Sequence, residues 1–257
     1  ASLYMPKEAL PLVDTPILNH LIWEAGRAGV NRVHVVLSGS KRELLSRVLE
    51  GPAPLYGDGM GAELPRMALS PHSDGIEVLV HVQQHPGGVA DAIAAAIHEI
   101  EGAFLVLLGD NLLIKDHVGP VLSGTQHASR ACLEMVERYT KTGLPSAAVL
   151  AVAEEELHKY GVVEIEGSLI RSIVEKPTPS DSPGRYVLCG RYLLPGNTAE
   201  ILDLYPGGEY GELQSIALLG HMIRDGGLEA VKLEGYELYD SGDSVTWLKS
   251  QITSGRI

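Results

Sequence analysis

AFLVLLGDNLL, residues 103–113, is the segment from which the architecture of the rest of the chain follows. It is a short apolar run broken by Gly109-Asp110-Asn111, and apolar runs of that length bounded by turn residues read as buried strands of a parallel sheet. An open α/β sheet takes its ligand outside the carboxyl ends of its strands. Asp110 would then face a cleft, which makes it a candidate metal or phosphate-site residue. The same three residues also favour a plain turn with no further role, and this stretch alone leaves both readings open.

Outward from it the chain alternates. Towards the N-terminus, the pattern predicts strands over 33–37 and 76–82. A helix is expected from Pro16 to about residue 28, with Leu18, Leu21, Ile22 and Ala25 on its buried face, and a second, capped by Ser40, to about residue 49. The opening segment, where two prolines flank Lys7-Glu8, reads as an extended loop presenting those side chains. Residues 51–75, rich in Gly and Pro, read as an irregular excursion. In QQHPGGVADA, residues 83–92, the glycines allow close backbone approach before an Ala-rich helix to about residue 100. A helix over 126–141 and a strand over 147–152 continue the rhythm, which argues for a sheet covered by helices on both faces.

Past Tyr160 the rhythm changes. YGVVEIEG and SLIRSIVEKP, two short alternating runs separated by Gly167-Ser168, read as a hairpin. Strands are expected at 186–193, 228–233 and 236–239, with helices near 198–204, 212–225 and 243–251. The hairpin and its surroundings read as a subdomain laid over the sheet.

At 257 residues with a formal net charge of -13, the chain can bury a large core but lacks the basic face that a nucleic acid polymer requires. Any nucleotide must be held by local amides, a metal and a few cations. No apolar run approaches the ~18 residues of a membrane span, and no signal-peptide pattern opens the chain. Cys132 and Cys189, far apart in apolar surroundings, read as reduced packing residues of a cytoplasmic protein.

Asp110 gains weight from Tyr239-Asp240-Ser241-Gly242-Asp243, a second aspartate in a turn after a short strand. Two strand-end carboxylates facing one cleft suit Mg2+ on a nucleoside triphosphate, although Asp240 alone also reads as a helix cap. Lys7 and Lys176 are either surface lysines or point charges for phosphates. Glu175, beside Lys176 and Pro177, could accept hydrogen bonds from sugar hydroxyls. Gln83 and Gly88 offer an amide and open backbone to a base edge, or form an ordinary strand-to-helix turn. The histidines lack metal-site spacing, and there is no G-x-S-x-G elbow, Walker loop or cysteine-histidine cluster.

In order along the chain, PKEALPLVDTPIL, QQHPGG, LLGDN, YGVVE, VEKP, CGRYLLP, GELQ and YDSGD resemble the motifs of the sugar-phosphate nucleotidyltransferases. Among these the sequence most resembles the bacterial-type UTP:glucose-1-phosphate uridylyltransferases. PKE, GRYLLP and GELQ lean that way, while LLGDN is more usual in the related glucose-1-phosphate thymidylyltransferases. The resemblance implies a Rossmann-like, mainly parallel sheet with a small hairpin-containing sugar-binding subdomain. It implies a single domain over 1–257, with a nucleotide-binding part at 1–152 and a sugar-binding part with a closing strand and helix at 153–257. The implied reaction is attack by a sugar 1-phosphate oxygen on the α-phosphorus of UTP, expelling pyrophosphate and making UDP-glucose.

Carried over motif by motif, Lys7 would steady the triphosphate, Gln83 and Gly88 would contact the base, and Asp110 with Asp240 would hold Mg2+. Gly161, Glu175 and Gly190 would line the sugar, and Lys176 would grip its phosphate. Lys7, Asp110, Lys176 and Asp240 would be the catalytic set, acting by positioning and charge neutralisation without a covalent intermediate. The resemblance further implies a cytoplasmic homo-oligomer with small-molecule partners, the triphosphate and the sugar 1-phosphate, and neither a nucleic acid nor a membrane partner.

Three features depart from the family pattern. Relatives carry a strand and a G-x-G-T-R loop before the PKE segment, and the printed chain starts after that point, at Ala1. Gln214 is followed by Ser215-Ile216-Ala217 where Leu-Thr-Asp is common, and Ala90-Asp91 stands where Gly-His or Ala-Gln is usual. The first departure motivates an alternative of another class, a non-catalytic nucleotide-sugar-binding regulatory protein.

Overall fold

The computed structural model describes residues 5–12, 15–49, 75–83, 87–115, 124–204 and 214–254, with the backbone alone at 44, 47, 214, 215, 253 and 254. The expected excursion at 51–75 lies outside these residues except for Gly75, as do residues 84–86 of QQHPGG and 211–213 of GELQ.

In chain order, a 3-10 turn at Lys7–Ala9 precedes β1 (Pro11–Leu12), β2 (Thr15–Pro16), α1 (Ile17–Arg27), β3 (Arg32–Ser38), α2 (Arg42–Leu49) and β4 (Glu77–Gln83). Then come α3 (Val89–Ala94), β5 (Phe104–Leu107), β6 (Asn111–Ile114), α4 (Ala131–Thr142), β7 (Ser146–Ala151), β8 (Gly161–Glu166) and β9 (Leu169–Glu175). The chain continues through β10 (Tyr186–Leu194), α5 (Thr198–Asp203), α6 (Gln214–Asp225), β11 (Glu229–Lys232), β12 (Glu237–Asp240) and α7 (Ser244–Ser254). These elements form two compact units.

The first unit comprises Ala1–Val82, Gly109–Leu133 and Glu237–Ile257. Its core joins Leu18, Ile22 and Trp23 of α1 to Val35 and Leu37 of β3, Leu45 and Leu49 of α2, and Ile76. α1 is buried on more than the predicted face, since Ile17 and Trp23 are also inaccessible. Two expectations near it are corrected. Around Lys7-Glu8 the chain is not extended but forms a 3-10 turn, Lys7–Ala9, closed by Ala9 N–H to Pro6 O at 3.0 Å and Leu10 N–H to Lys7 O at 3.2 Å. Ser40 does not cap α2: it sits inside a 3-10 turn, Gly39–Lys41, and its hydroxyl bonds Ser38 Oγ at 3.3 Å. β6 and β12 pair antiparallel, with Asn111 opposite Asp240. Trp247 Nε1 and Gln251 Nε2 of α7 both donate to Pro11 O, at 3.2 and 2.6 Å.

The second unit comprises Gln83–Leu108 and Glu134–Tyr236. It holds a six-stranded sheet in the order β5-β10-β7-β11-β9-β8, with β10 also pairing β8. Ile93 of α3, Ile201 of α5, and Leu218, Leu219 and Met222 of α6 pack on Ala147, Val149, Val163, Ile170 and Leu194 of the sheet. The expected hairpin is β8–β9, turning at Gly167 with φ 64°. Cys189 Sγ donates to Ala148 O at 3.1 Å, and both cysteines are buried thiols.

The α/β class stands, while strand direction differs from the mainly parallel expectation. Among the described residues, every pairing with a defined register is antiparallel except β7 with β11. The nine-residue β10 runs back along β5, β7 and β8, and a short apolar run carries no signal for its own direction. β5, expected to be buried, is half-buried throughout, because it ends the strand order and has one hydrogen-bonded neighbour among the described residues. The Ala-rich helix is also shorter than expected: α3 stops at Ala94, and a separate 3-10 turn, Ile97–Glu99, follows, its Ile97 joining Ile93 in the core.

Candidate functional site

In the first unit, Lys7, Asp110 and Asp240 come together. The β6–β12 register sets Asp240 opposite the residue after Asp110, and Ser241 clamps the corner by donating both its N–H (2.9 Å) and its hydroxyl (3.0 Å) to Asp110 O. Lys7 Nζ donates to Asp110 Oδ2. Burial works to lower the Lys7 pKa, but the hydrogen bond and charge of Asp110, with the charges of Glu8 and Asp240, outweigh it and hold the ammonium above its ordinary range.

Asp240 is pushed up, first by burial and further by the charges of Asp110 and Asp243. The Gly242 N–H, donating to Asp240 Oδ1 at 2.7 Å, and the Lys7 charge oppose the shift. Two carboxylates at one corner, with one ammonium among three anionic neighbours, form a donor set that a divalent cation fits. Glu8, the third of these carboxylates, is tied to Lys41 at 2.8 Å, and a Cβ on Gly109 would stand 3.1 Å from its Cγ.

In the second unit, Gln83 and Gly88 meet at the turn into α3. Gln83 Nε2 donates to Asp91 Oδ2 at 2.5 Å and to Gly88 O at 3.3 Å. Gly88 has φ 89° and ψ -171°, a conformation that side chains disfavour. Elsewhere in this unit, the β8–β9 register pairs Gly161 with Glu175, and a Cβ on Gly161 would stand 2.9 Å from Glu175 Oε2 and 3.3 Å from Leu188 Cδ1. Lys176, just past β9, has φ 46°, the one positive φ outside glycine among the described residues, and its N–H donates to Tyr160 O at 2.9 Å. Its Nζ lies 3.8 Å from Glu175 Oε1. Gly190, with φ 71°, sits in the irregular step of β10 between Leu188 and Tyr192, where its carbonyl accepts Leu108 N–H at 2.9 Å.

Two arrangements escaped sequence reasoning. Asp91 departs from the family pattern, and its contact with Gln83 joins a strand end to the next helix's first turn. His34 Nδ1 and His81 Nε2, on the paired strands β3 and β4, lie 2.9 Å apart, and no local spacing signals such a cross-strand contact.

The family model for nucleotidyl transferases matches residues 2–243. The UTP--glucose-1-phosphate uridylyltransferase YngB of Bacillus subtilis (strain 168) is 27% identical over 97% of this chain and 82% of its own length. A crystal structure of apo UDP-glucose pyrophosphorylase is similar with TM-score 0.79 at 25% identity, covering 96% of this chain and 89% of that one. A UDP-glucose pyrophosphorylase complexed with UDP-glucose gives TM-score 0.76 at 27% identity, with the same coverage of both chains. Paired strand-end aspartates, a lysine beside them and a sequence match running almost the whole length of the chain agree, and the protein belongs to the nucleotidyl transferase family.

Proposed function

We propose that the protein joins UTP and glucose 1-phosphate into UDP-glucose and pyrophosphate with Mg2+. The observation that carries this reading is the convergence of Lys7, Asp110 and Asp240 on one strand-end corner. Asp110 and Asp240 would hold the cation, which when bound offsets charge on the triphosphate. Lys7, held protonated by its carboxylate neighbours, supplies a further positive charge to the phosphates.

Gln83 and Gly88 contact the base. Gly161 leaves room for the Glu175 carboxylate, which accepts from sugar hydroxyls, while Gly190 lines the sugar and Lys176 meets its phosphate. In this reading residues 1–152 are the nucleotide-binding part and 153–257 the sugar-binding part. The names of the relatives support the choice of UTP and glucose. dTTP is the second reading, because thymine shares uracil's imide edge, the face that an amide such as Gln83 can read. A cytoplasmic homo-oligomer completes the proposal, and light scattering of the purified protein tests the oligomer. Among the described residues no helix is long and apolar enough to cross a membrane.

The test is UDP-glucose formation by the wild type and Asp110→Asn, with Mg2+ and with chelator. Asp110→Asn is expected to lose on the order of 100-fold in turnover, with little change in melting temperature, and chelator should silence the wild type. A variant that turns over normally but melts much earlier would make Asp110 a structural turn residue.

A further inference from the structure

We propose that Asp91 is a specificity-positioning residue: by holding the amide nitrogen of Gln83, it fixes Gln83 Oε1 as the end offered to the base, selecting a pyrimidine imide, uracil or thymine, over cytosine. This rests on the reading above that Gln83 contacts the base.

The two groups that meet Gln83 Nε2 are the Asp91 carboxylate at 2.5 Å and Gly88 O at 3.3 Å, and both can only accept. An amide turned the other way would press Oε1 against two acceptor oxygens, so the nitrogen is committed to the Asp91 side. The backbone is shaped for this contact. A Cβ on Gly87 would come within 2.9 Å of both Cβ and Cγ of Asp91, so glycine there is what lets the Asp91 side chain approach. Gly88, at φ 89°, offers a carbonyl that accepts Ala92 N–H at 3.1 Å as well as the Gln83 amide.

With the nitrogen committed, Oε1 can only accept. Uracil and thymine carry a donor at N3–H, whereas cytosine at the same seat presents the N3 lone pair, and two acceptors would face each other. Buried polar groups left unpaired are what give hydrogen-bonding sites their largest discrimination. Without Asp91 only the longer contact to Gly88 O, at 3.3 Å, holds the nitrogen, and the amide can turn its NH2 outwards to pair with cytosine N3.

The experiment compares UTP with CTP, by kcat/KM for pyrophosphate release and by calorimetric affinity, in the wild type, Asp91→Ala, Asp91→Ser, Asp91→Asn and Gln83→Ala. The wild type should prefer UTP. Asp91→Ala and Asp91→Ser should lower the UTP:CTP ratio by roughly tenfold or more, with an absolute gain for CTP that mere structural damage cannot produce. Asp91→Asn, whose amide can donate as well as accept, lifts the acceptor-only constraint and should give a ratio between those of the wild type and Asp91→Ala. Asp91 is partly exposed in the first turn of α3, where Ala suits the helix, and Ser is a second variant too short to reach Gln83.

Unchanged ratios in the Ala and Ser variants, alongside a collapsed ratio in Gln83→Ala, would overturn the role of Asp91 alone. An unchanged ratio in Gln83→Ala would overturn the base-contact reading, and the role of Asp91 with it.

Discussion

Asp240 is the residue at which function and stability pull in opposite directions. Its folded pKa lies above the ordinary 3.8, chiefly from burial, so the neutral form is favoured in the fold. A group raised in this way contributes stability below 3.8 that is lost as pH rises through the folded value, so at neutral pH the charged Asp240 is a cost. Asp240→Asn keeps an acceptor for Gly242 N–H and removes the repulsion with Asp110. Thermal melts should show this variant equal to or more stable than wild type near pH 7, with the difference vanishing below pH 3.8, while turnover falls on the order of 100-fold. A variant less stable at pH 7 and fully active would remove Asp240 from the cation corner. Asp110 and Asp240 were legible in the sequence because each ends a short apolar run in a turn. Their contact was not, because it depends on β6 finding β12 across the chain.

Two elements carry predictions of their own. α4 is tied to β11 through Glu229, whose buried carboxylate accepts from Arg138 Nη2 at 2.5 Å and Thr142 Oγ1 at 2.8 Å. Burial alone would raise the Glu229 pKa, but hydrogen bonds from Arg138 and Thr142 and the Arg138 charge bring it below 4.5. The stability contributed by this group is therefore present above pH 4.5 and lost as pH falls through the lower folded value. Arg138→Ala should lower the midpoint of a denaturant titration at pH 7, because it takes the charged donor away from the buried Glu229 carboxylate, and leave KM values unchanged. No loss of stability would mean that Thr142 and solvent suffice for the carboxylate.

In the β8–β9 hairpin, Gly161→Ala would drive a methyl to within 2.9 Å of Glu175 Oε2. The sugar-phosphate KM should rise several-fold, as expected when a positioning group is displaced by about 1 Å, with a smaller effect on the KM for UTP. Equal effects on both would point to general unfolding of the hairpin instead. This hairpin was readable from its alternation and its Gly-Ser turn. The direction of the longer strands was not, since buried apolar runs look alike whichever way they pair.

At the scale of the molecule, the alternation of apolar runs and amphipathic segments made the α/β class readable, and a net charge of -13 argued against a nucleic acid polymer, so that any nucleotide would have to be held by local amides, a metal and a few cations. What composition and periodicity could not supply was the reaction. That came from ordered motifs resembling one family, and then from the family match over residues 2–243. The amide held by Asp91 was hidden because it joins a strand end and a helix turn that were read separately.

The most direct test of the central claim is pyrophosphate release with Mg2+, measured across UTP and dTTP, each paired with glucose 1-phosphate and several other sugar 1-phosphates. Release with UTP and glucose 1-phosphate should stand well above that with every other pair. No release with any pair, while UTP or UDP-glucose still binds, would contradict it and make the protein a nucleotide-sugar binder without turnover.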